Sequence, residues 1–262
     1  MSVSGKRIAG SFGKIVSNPL KAVELAWRRL FPFGIVPKDA EAYRIGSWSY
    51  GNMPRKPIAD VFTGIGNISV SLHRAFDKDP ITSADFGEVL QLAAMAKHIN
   101  AKSVLEIGTF DGNTTLNFAL NVAPDSRVTT VDLPPDWDGT YEHASVGGFY
   151  DNVTDRAGVG SQYRQVPDAE KKIDQVFGDS GRIDWTQLPN APFDLIFIDG
   201  NHHRDYVKSD TENALKVLRP GGVICWHDYG MIKDVSDVVD GYSGKFNIAI
   251  LRGTRIAVGV AK

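Results

Sequence analysis

From residue 82 onward, apolar positions fall alternately at helical and strand spacing. Phe86, Val89, Leu90, Ala93 and Ala96 recur three and four residues apart. They predict a helix to about His98, opened by Thr82-Ser83-Ala84-Asp85 as a capping box. The apolar run 103–107 predicts a strand ending at Gly108, followed by a helix over 113–122 and a second strand over 127–131 ending at Asp132. A weaker strand covers 174–178 and a strong one 193–198, with a helix over 205–218 after it. Arg219-Pro220-Gly221-Gly222 stops that helix and turns the chain. A strand over 223–226 and a helix over 232–239 follow, and 246–251 with 255–260 reads as a closing hairpin.

Strands that alternate with helices imply crossover connections and a mostly parallel sheet covered on both faces. The expected fold is therefore α/β, doubly wound and Rossmann-like. It has a mostly parallel seven-stranded sheet, a C-terminal antiparallel hairpin and an N-terminal extension. Residues 1–80 are expected to form that extension or cap, partly helical, and 81–262 the main domain. Within the extension, Asn18-Pro19 opens an amphipathic helix with Leu20, Val23, Trp27 and Leu30 on one side. The long stretch 133–165 carries Trp137, Tyr141, Phe149 and Tyr150, and a connection of that length is expected to be functional.

Composition narrows the classes. The chain has 262 residues, 42% hydrophobic and 23% charged, as in ordinary globular proteins. A net charge of -2 gives no general attraction to nucleic acid. Lys6, Arg7, Lys14, Lys21, Arg28 and Arg29 face one acid, Glu24, at the start. That basic segment is either a solvated extension or a contact with an acidic membrane surface. Cys225 is the one cysteine, so an internal disulfide and a multi-thiolate zinc site are both excluded. It lies in the apolar run Val223-Ile224-Cys225-Trp226 and reads as a small buried hydrophobe. No run has the length of a membrane span and no signal-peptide core is present, so a cytoplasmic location is expected.

In such sheets ligands bind at the carboxyl ends of the strands. Glu106-Ile107-Gly108-Thr109-Phe110-Asp111-Gly112 leaves the first strand of the main domain through two glycines that permit close ligand approach. Glu106 would end a buried strand as an acid, which costs free energy unless it meets a cation or donors. A ligand ammonium would meet that need. Asp132 is placed to accept both hydroxyls of a ribose, and Asp179, in Gly178-Asp179-Ser180, to receive an adenine amino group. The Gly-x-Gly-x-x-Gly fingerprint of dinucleotide enzymes is missing from this loop.

These segments, with Phe193-Asp194-Leu195-Ile196-Phe197-Ile198-Asp199-Gly200 and Leu218-Arg219-Pro220-Gly221-Gly222, resemble the ordered motifs of class I S-adenosylmethionine (SAM) methyltransferases. The likeness covers roughly residues 82–262. It is strongest to small O-methyltransferases related to catechol and macrolide-sugar enzymes. The resemblance implies SAM as cofactor, with Glu106 near the methionine amine. Gly108, Thr109, Gly112 and Asn113 would lie around the cofactor, Asp132 on the ribose, and Asp179 and Ser180 near the adenine. Asp199 would also contact the cofactor.

Asp199-Gly200-Asn201-His202-His203 and His227-Asp228-Tyr229 form a second constellation. Asp199 and Asp228 end what should be neighbouring strands, and two close carboxylates call for a proton or a cation. Oxygen donors suit Mg²⁺, with Mn²⁺ as the second choice. The resemblance to metal-dependent O-methyltransferases supports Asp199 and Asp228 as ligands and His202 as the general base. Two departures stand out: the catechol type has Lys at the position of His202 and Asn at that of Tyr229. His227 or His203 would then supply the third ligand. Asp205, Asp210 and Glu212 read as a solvated helix face.

The expected reaction is methyl transfer from SAM to a hydroxyl of a small-molecule acceptor, in a chain that is monomeric or a homo-oligomer. Three rivals stay open: an iron-dependent hydroxylase on the same fold, a nicotinamide dehydrogenase, and a non-catalytic SAM-binding module.

Overall fold

The structure, a computed structural model, describes residues 50–73, 84–137, 142–143 and 158–261, and every statement below concerns those residues. The basic start, the helix expected after Asn18, Thr82-Ser83, Tyr141, Phe149 and Tyr150 lie outside them.

Along the chain come β1 (Arg55–Lys56), α1 (Ile58–Val61), α2 (Phe86–His98), β2 (Ser103–Ile107), α3 (Asn113–Asn121) and β3 (Arg127–Asp132). Then follow α4 (Pro167–Glu170), β4 (Ile173–Phe177), β5 (Phe193–Ile198), α5 (Arg204–Val217), β6 (Leu218–Trp226), α6 (Lys233–Asp240), β7 (Phe246–Leu251) and β8 (Ala257–Ala261). They form one sheet in the order β1-β7-β8-β6-β5-β2-β3-β4. β8 runs antiparallel to both β6 and β7, and the other pairs are parallel. The doubly wound fold and its closing hairpin are as expected. The sheet has eight strands where seven were expected, because Arg55 and Lys56 pair with Ile250 and Leu251.

The alternation of side chains builds two cores. Val104, Val128, Leu195, Phe197, Val223 and Cys225 face α2 and α3. Leu105, Val131, Ile196, Ile198, Ile224 and Trp226 face α5 and α6. Chain order reverses between β2 and β5, which opens a crevice at their carboxyl ends.

Three expectations are corrected. The cap of α2 is Asp85, whose side chain accepts from Glu88 N while Glu88 accepts from Asp85 N. The buried stripe of α2 includes Val89, Ala93 and Ala96 as expected and extends to Glu88, Leu92 and Met95, whereas Phe86 and Leu90 are 54% and 39% exposed. The apolar count missed the Glu88 edge of the stripe because Glu88 is a charged residue. Asp210 on α5 is fully buried and not on a solvated face.

Residues 50–73 of the expected extension are joined to the main domain. Asn121 exchanges two hydrogen bonds with the backbone of Ser71, and Asn117 two with that of His73. Two buried amides one helical turn apart thus hold alternate residues of an extended strap, as a neighbouring strand would.

Candidate active site

The loop after β2 meets the loop after β5 at Gly108. Its φ is 96°, and a Cβ there would lie 2.1 Å from the Asp199 carbonyl oxygen, so only glycine is accommodated. Gly112, at φ 83°, begins α3, and a Cβ there would come within 2.6 Å of Tyr163. Residues 158–165 brace this loop from outside. Gly160 N and Gln162 N donate to the carbonyls of Phe110 and Asp111, each at 2.8 Å.

Glu106 ends inside the protein, 1% exposed. Its carboxyl accepts from the hydroxyls of Thr115 and, at 2.7 Å, Thr130. Burial pushes its pKa up to about 8, against the two hydroxyl bonds that lower it. The donors it needed are therefore neutral ones. The Thr109 hydroxyl also turns inward, to Thr130 at 2.7 Å and Gln175 Nε2 at 3.1 Å. Its side chain is thus committed to the strands beneath the cleft.

Asp132 accepts from Phe110 N at 2.8 Å and Leu133 N at 2.7 Å, which fixes its carboxylate at the tip of β3. Asp179 accepts from Gly181 N (2.9 Å), Glu142 N (2.8 Å) and Tyr206 Oη (2.9 Å). Ser180 accepts at its carbonyl from Trp185 Nε1 at 2.9 Å. The Asn113 amide nitrogen is buried without a hydrogen-bond partner, at the first turn of α3. Behind this half of the cleft lies Asp210, about 3.8 Å from where a Gly200 Cβ would stand. Neither of its oxygens receives a well-formed hydrogen bond. Burial raises its pKa to about 7, Ser180 opposes that rise, and the Asp179 charge adds to it.

The second constellation comes together at the ends of β5 and β6. Oxygens of Asp199 and Asp228 and a ring nitrogen of His202 all lie within 4.8 Å of one another. His202 Nε2 is 3.1 Å from Asp228 Oδ2 and 3.9 Å from Asp199 Oδ1. Asp228 holds its place in a left-handed backbone conformation, φ 55°.

His227 was expected as a ligand, and the geometry corrects this. Nδ1 lies 3.0 Å from Asp199 Oδ1, and Nε2 lies 2.9 Å from Glu88 Oε2. Both nitrogens are spent on carboxylates, so the cluster member is His202. Although burial opposes it, the charges of Asp199, Glu88 and Asp228 hold the His227 pKa well above its usual value. His203 caps α5 through Asp205 N and is not in the cluster. Tyr229, at the Asn position of the catechol type, turns away: its hydroxyl donates to Asp240 and accepts from Met53 N at 3.0 Å.

Two residues of this site were not singled out in the sequence, Glu88 and Arg255. Arg255 donates to Asp228 Oδ1 at 3.0 Å and to Glu88 through Nε at 3.2 Å and Nη2 at 3.1 Å. Glu88 also accepts from Arg255 N at 2.8 Å and is fully buried. Burial alone would raise its pKa, but His227 and Arg255 hold it far below the usual carboxylate range. The available signal was an acid on the buried stripe of an amphipathic helix. No local signal marks Arg255, which follows the hairpin turn.

A family model described as "Methyltransferase domain" matches residues 105–229, from β2 to the turn after β6. A catechol O-methyltransferase of Mycobacterium tuberculosis is 33% identical over 142 residues, 54% of this chain and 54% of that protein. A caffeoyl-CoA O-methyltransferase of Populus kitakamiensis is 29% identical over 155 residues, 56% and 57% of the two chains. A probable caffeoyl-CoA O-methyltransferase 3 of Dictyostelium discoideum is 30% identical over 136 residues, covering 50% of this chain and 45% of that protein. The matched region thus spans about half the length of these relatives.

Solved structures share the fold. The Streptomyces achromogenes O-methyltransferase TomG, involved in tomaymycin synthesis and bound to SAM, aligns with a TM-score of 0.54 at 19% identity. The alignment covers 78% of this chain and 96% of TomG. A Bacillus cereus O-methyltransferase in complex with SAH aligns with a TM-score of 0.53 at 16% identity, covering 90% and 97%. The chain shares the fold of these SAM- and SAH-bound O-methyltransferases, and its residues 105–229 match the methyltransferase-domain model.

Proposed function

We propose that this methyltransferase-domain chain transfers the methyl group of SAM to a hydroxyl oxygen of a small-molecule acceptor, with help from a divalent cation. The observation that carries the reading is the abutment at Gly108. There the glycine loop touches the Asp199 backbone, so a cofactor on the loop would present its methyl group beside Asp199, His202 and Asp228.

On the cofactor side, a carboxylate oxygen can accept more than one hydrogen bond. Asp132 can therefore keep its two backbone donors and still take the ribose hydroxyls. The buried, unpartnered Nδ2 of Asn113 and the approach allowed by Gly108 and Gly112 suit the methionine end. Asp179 and Ser180 line the adenine side. The Glu142 amide on Asp179 would have to share that carboxylate with an adenine amino group.

On the acceptor side, the donor set fits a divalent cation: two carboxylates and one imidazole converge in one pocket. Asp199, His202 and Asp228 would hold it, and the imidazole moves preference from Mg²⁺ toward Mn²⁺. A cation there would hold the acceptor oxygen and lower its pKa. His202 Nε2 serves one of two roles, since a ligating nitrogen cannot also take a proton. Without a cation it would be the base, and Asp228 Oδ2 at 3.1 Å would stabilise the N–H formed when it takes the acceptor proton. In either case the acceptor oxygen forms its bond to the methyl carbon as the carbon–sulfur bond breaks. S-adenosylhomocysteine leaves, and the hydroxyl proton passes to base or solvent. Positioning of this kind can supply roughly 7–11 kcal/mol of the barrier.

The test is calorimetric titration of the metal-stripped protein with SAM, then turnover of a panel of phenols and sugars with Mn²⁺, Mg²⁺ or chelator. Micromolar SAM binding lost in Asp132→Ala, with methyl transfer to an acceptor, supports the reading. Absence of SAM binding under every condition overturns it. Full activity in chelator removes the cation and leaves His202 as base.

A further inference from the structure

We propose that Glu88 is a positioning residue that sets the cation affinity of the Asp199–His202–Asp228 pocket from behind, through His227 and Arg255. The inference rests on the cation reading of that pocket. Glu88 reaches it from α2, a helix packed against the sheet, and its carboxylate is fixed on three sides. Asp85 N anchors Oε2 at 2.9 Å through the capping box, His227 Nε2 meets the same oxygen at 2.9 Å, and the Arg255 guanidinium and amide close around both oxygens.

His227 faces a carboxylate oxygen with each ring nitrogen, and with Glu88 and Asp199 both ionised each of those contacts is met by an N–H. The ring is therefore an imidazolium, and it relays Glu88 to Asp199. Arg255 relays it to Asp228. Around the pocket, Glu88, Asp199 and Asp228 stand against His227 and Arg255, so the cluster carries one net negative charge with His202 neutral. With that balance a cation is drawn to the pocket. Without Glu88 the two cations would neutralise Asp199 and Asp228, and the demand for a further cation would vanish. Glu88 also holds both cations on the Oδ1 side of Asp228, which leaves Oδ2, the oxygen nearest His202, toward the pocket.

The test is Mn²⁺ binding to the full chain at pH 6.5, followed by electron paramagnetic resonance without SAM or acceptor, in wild type, Glu88→Gln, Arg255→Gln and the double variant. Thermal melting of each verifies folding. Removing one negative charge close to the site is expected to weaken Mn²⁺ binding in Glu88→Gln by about tenfold or more. Removing a positive one in Arg255→Gln is expected to tighten it, and the double variant is expected to return near wild type. A packing role would weaken both single variants, and that outcome overturns the proposal, as does unchanged affinity in Glu88→Gln. If either single variant does not fold, the double variant decides: near wild-type affinity supports the proposal and a loss overturns it. Absence of Mn²⁺ binding in wild type removes the cation reading itself, and the inference with it.

Discussion

Glu88 and Glu106 are both glutamates buried to within 1% of complete burial, yet the protein treats them in opposite ways. Glu106 lies behind the glycine loop and meets only neutral hydroxyls, so burial raises its pKa to about 8. Glu88 lies behind the Asp199–Asp228 pocket and meets an imidazolium and a guanidinium, so it remains a carboxylate. Burial fixes how much a charge costs, and the partners decide whether it is kept. The neutral half suits a scaffold that holds a cofactor. The ionic half suits proton and cation chemistry.

The largest expected effects separate the two halves by function. His202→Ala should lower kcat by about 10²–10⁴-fold and leave the SAM dissociation constant within about twofold. Asp132→Ala should do the converse, with SAM affinity falling by about tenfold or more as charge-assisted bonds to the ribose are lost. Single-turnover kinetics and calorimetry check the pair; an equal loss of both quantities in both variants would erase the division.

Stability should separate them next. Glu88→Gln leaves Arg255 and His227 without their shared carboxylate and should cost about 3–5 kcal/mol. Glu106→Gln replaces an acid that is largely neutral at pH 7 and should cost less than about 1.5 kcal/mol in urea unfolding. Comparable losses would mean that the hydroxyl cage holds a charge after all.

A pH series sharpens the contrast. Asp210 and Glu106 have folded pKa values of about 7 and 8 against ordinary values of 3.8 and 4.5. Both are raised, so the stability they contribute is full below those ordinary values. It is lost as pH rises through about 7 for Asp210 and about 8 for Glu106. Glu88 and Asp228 are lowered, and their contribution is lost only in acid. Unfolding free energy should therefore fall between pH 5 and 7. Asp210→Asn should flatten that slope by about 1.4 kcal/mol per pH unit. A last contrast is at Tyr229→Phe, which removes the hydroxyl between Met53 and Asp240. It should cost about 1–2 kcal/mol with no change in Mn²⁺ affinity, since that side chain faces away from the pocket.

Much of this was legible along the chain because it is local. Periodicity marked β2, β3, β5, α5 and the closing hairpin, and the residues after each strand pointed to Glu106, Asp132, Asp179, Asp199 and Asp228. Strand β1 escaped notice because two residues carry no period, and α4 because four carry too little. Within the site, adjacency in sequence misled. His227 stands next to Asp228 and was expected to join it on a metal, but its ring turns to Glu88, 139 residues away. Asp210 has the spacing of a surface acid, yet it packs under Gly200.

By itself the sequence determined the α/β class, the winding of the sheet and which strand ends carry acids, since these follow from side-chain period and chain order. Only the tertiary structure decided which acids keep their charge, which histidine faces the pocket and that Arg255 reaches both Glu88 and Asp228. Those outcomes depend on distances of about 3 Å between residues far apart in the chain. No one-dimensional pattern encodes such contacts.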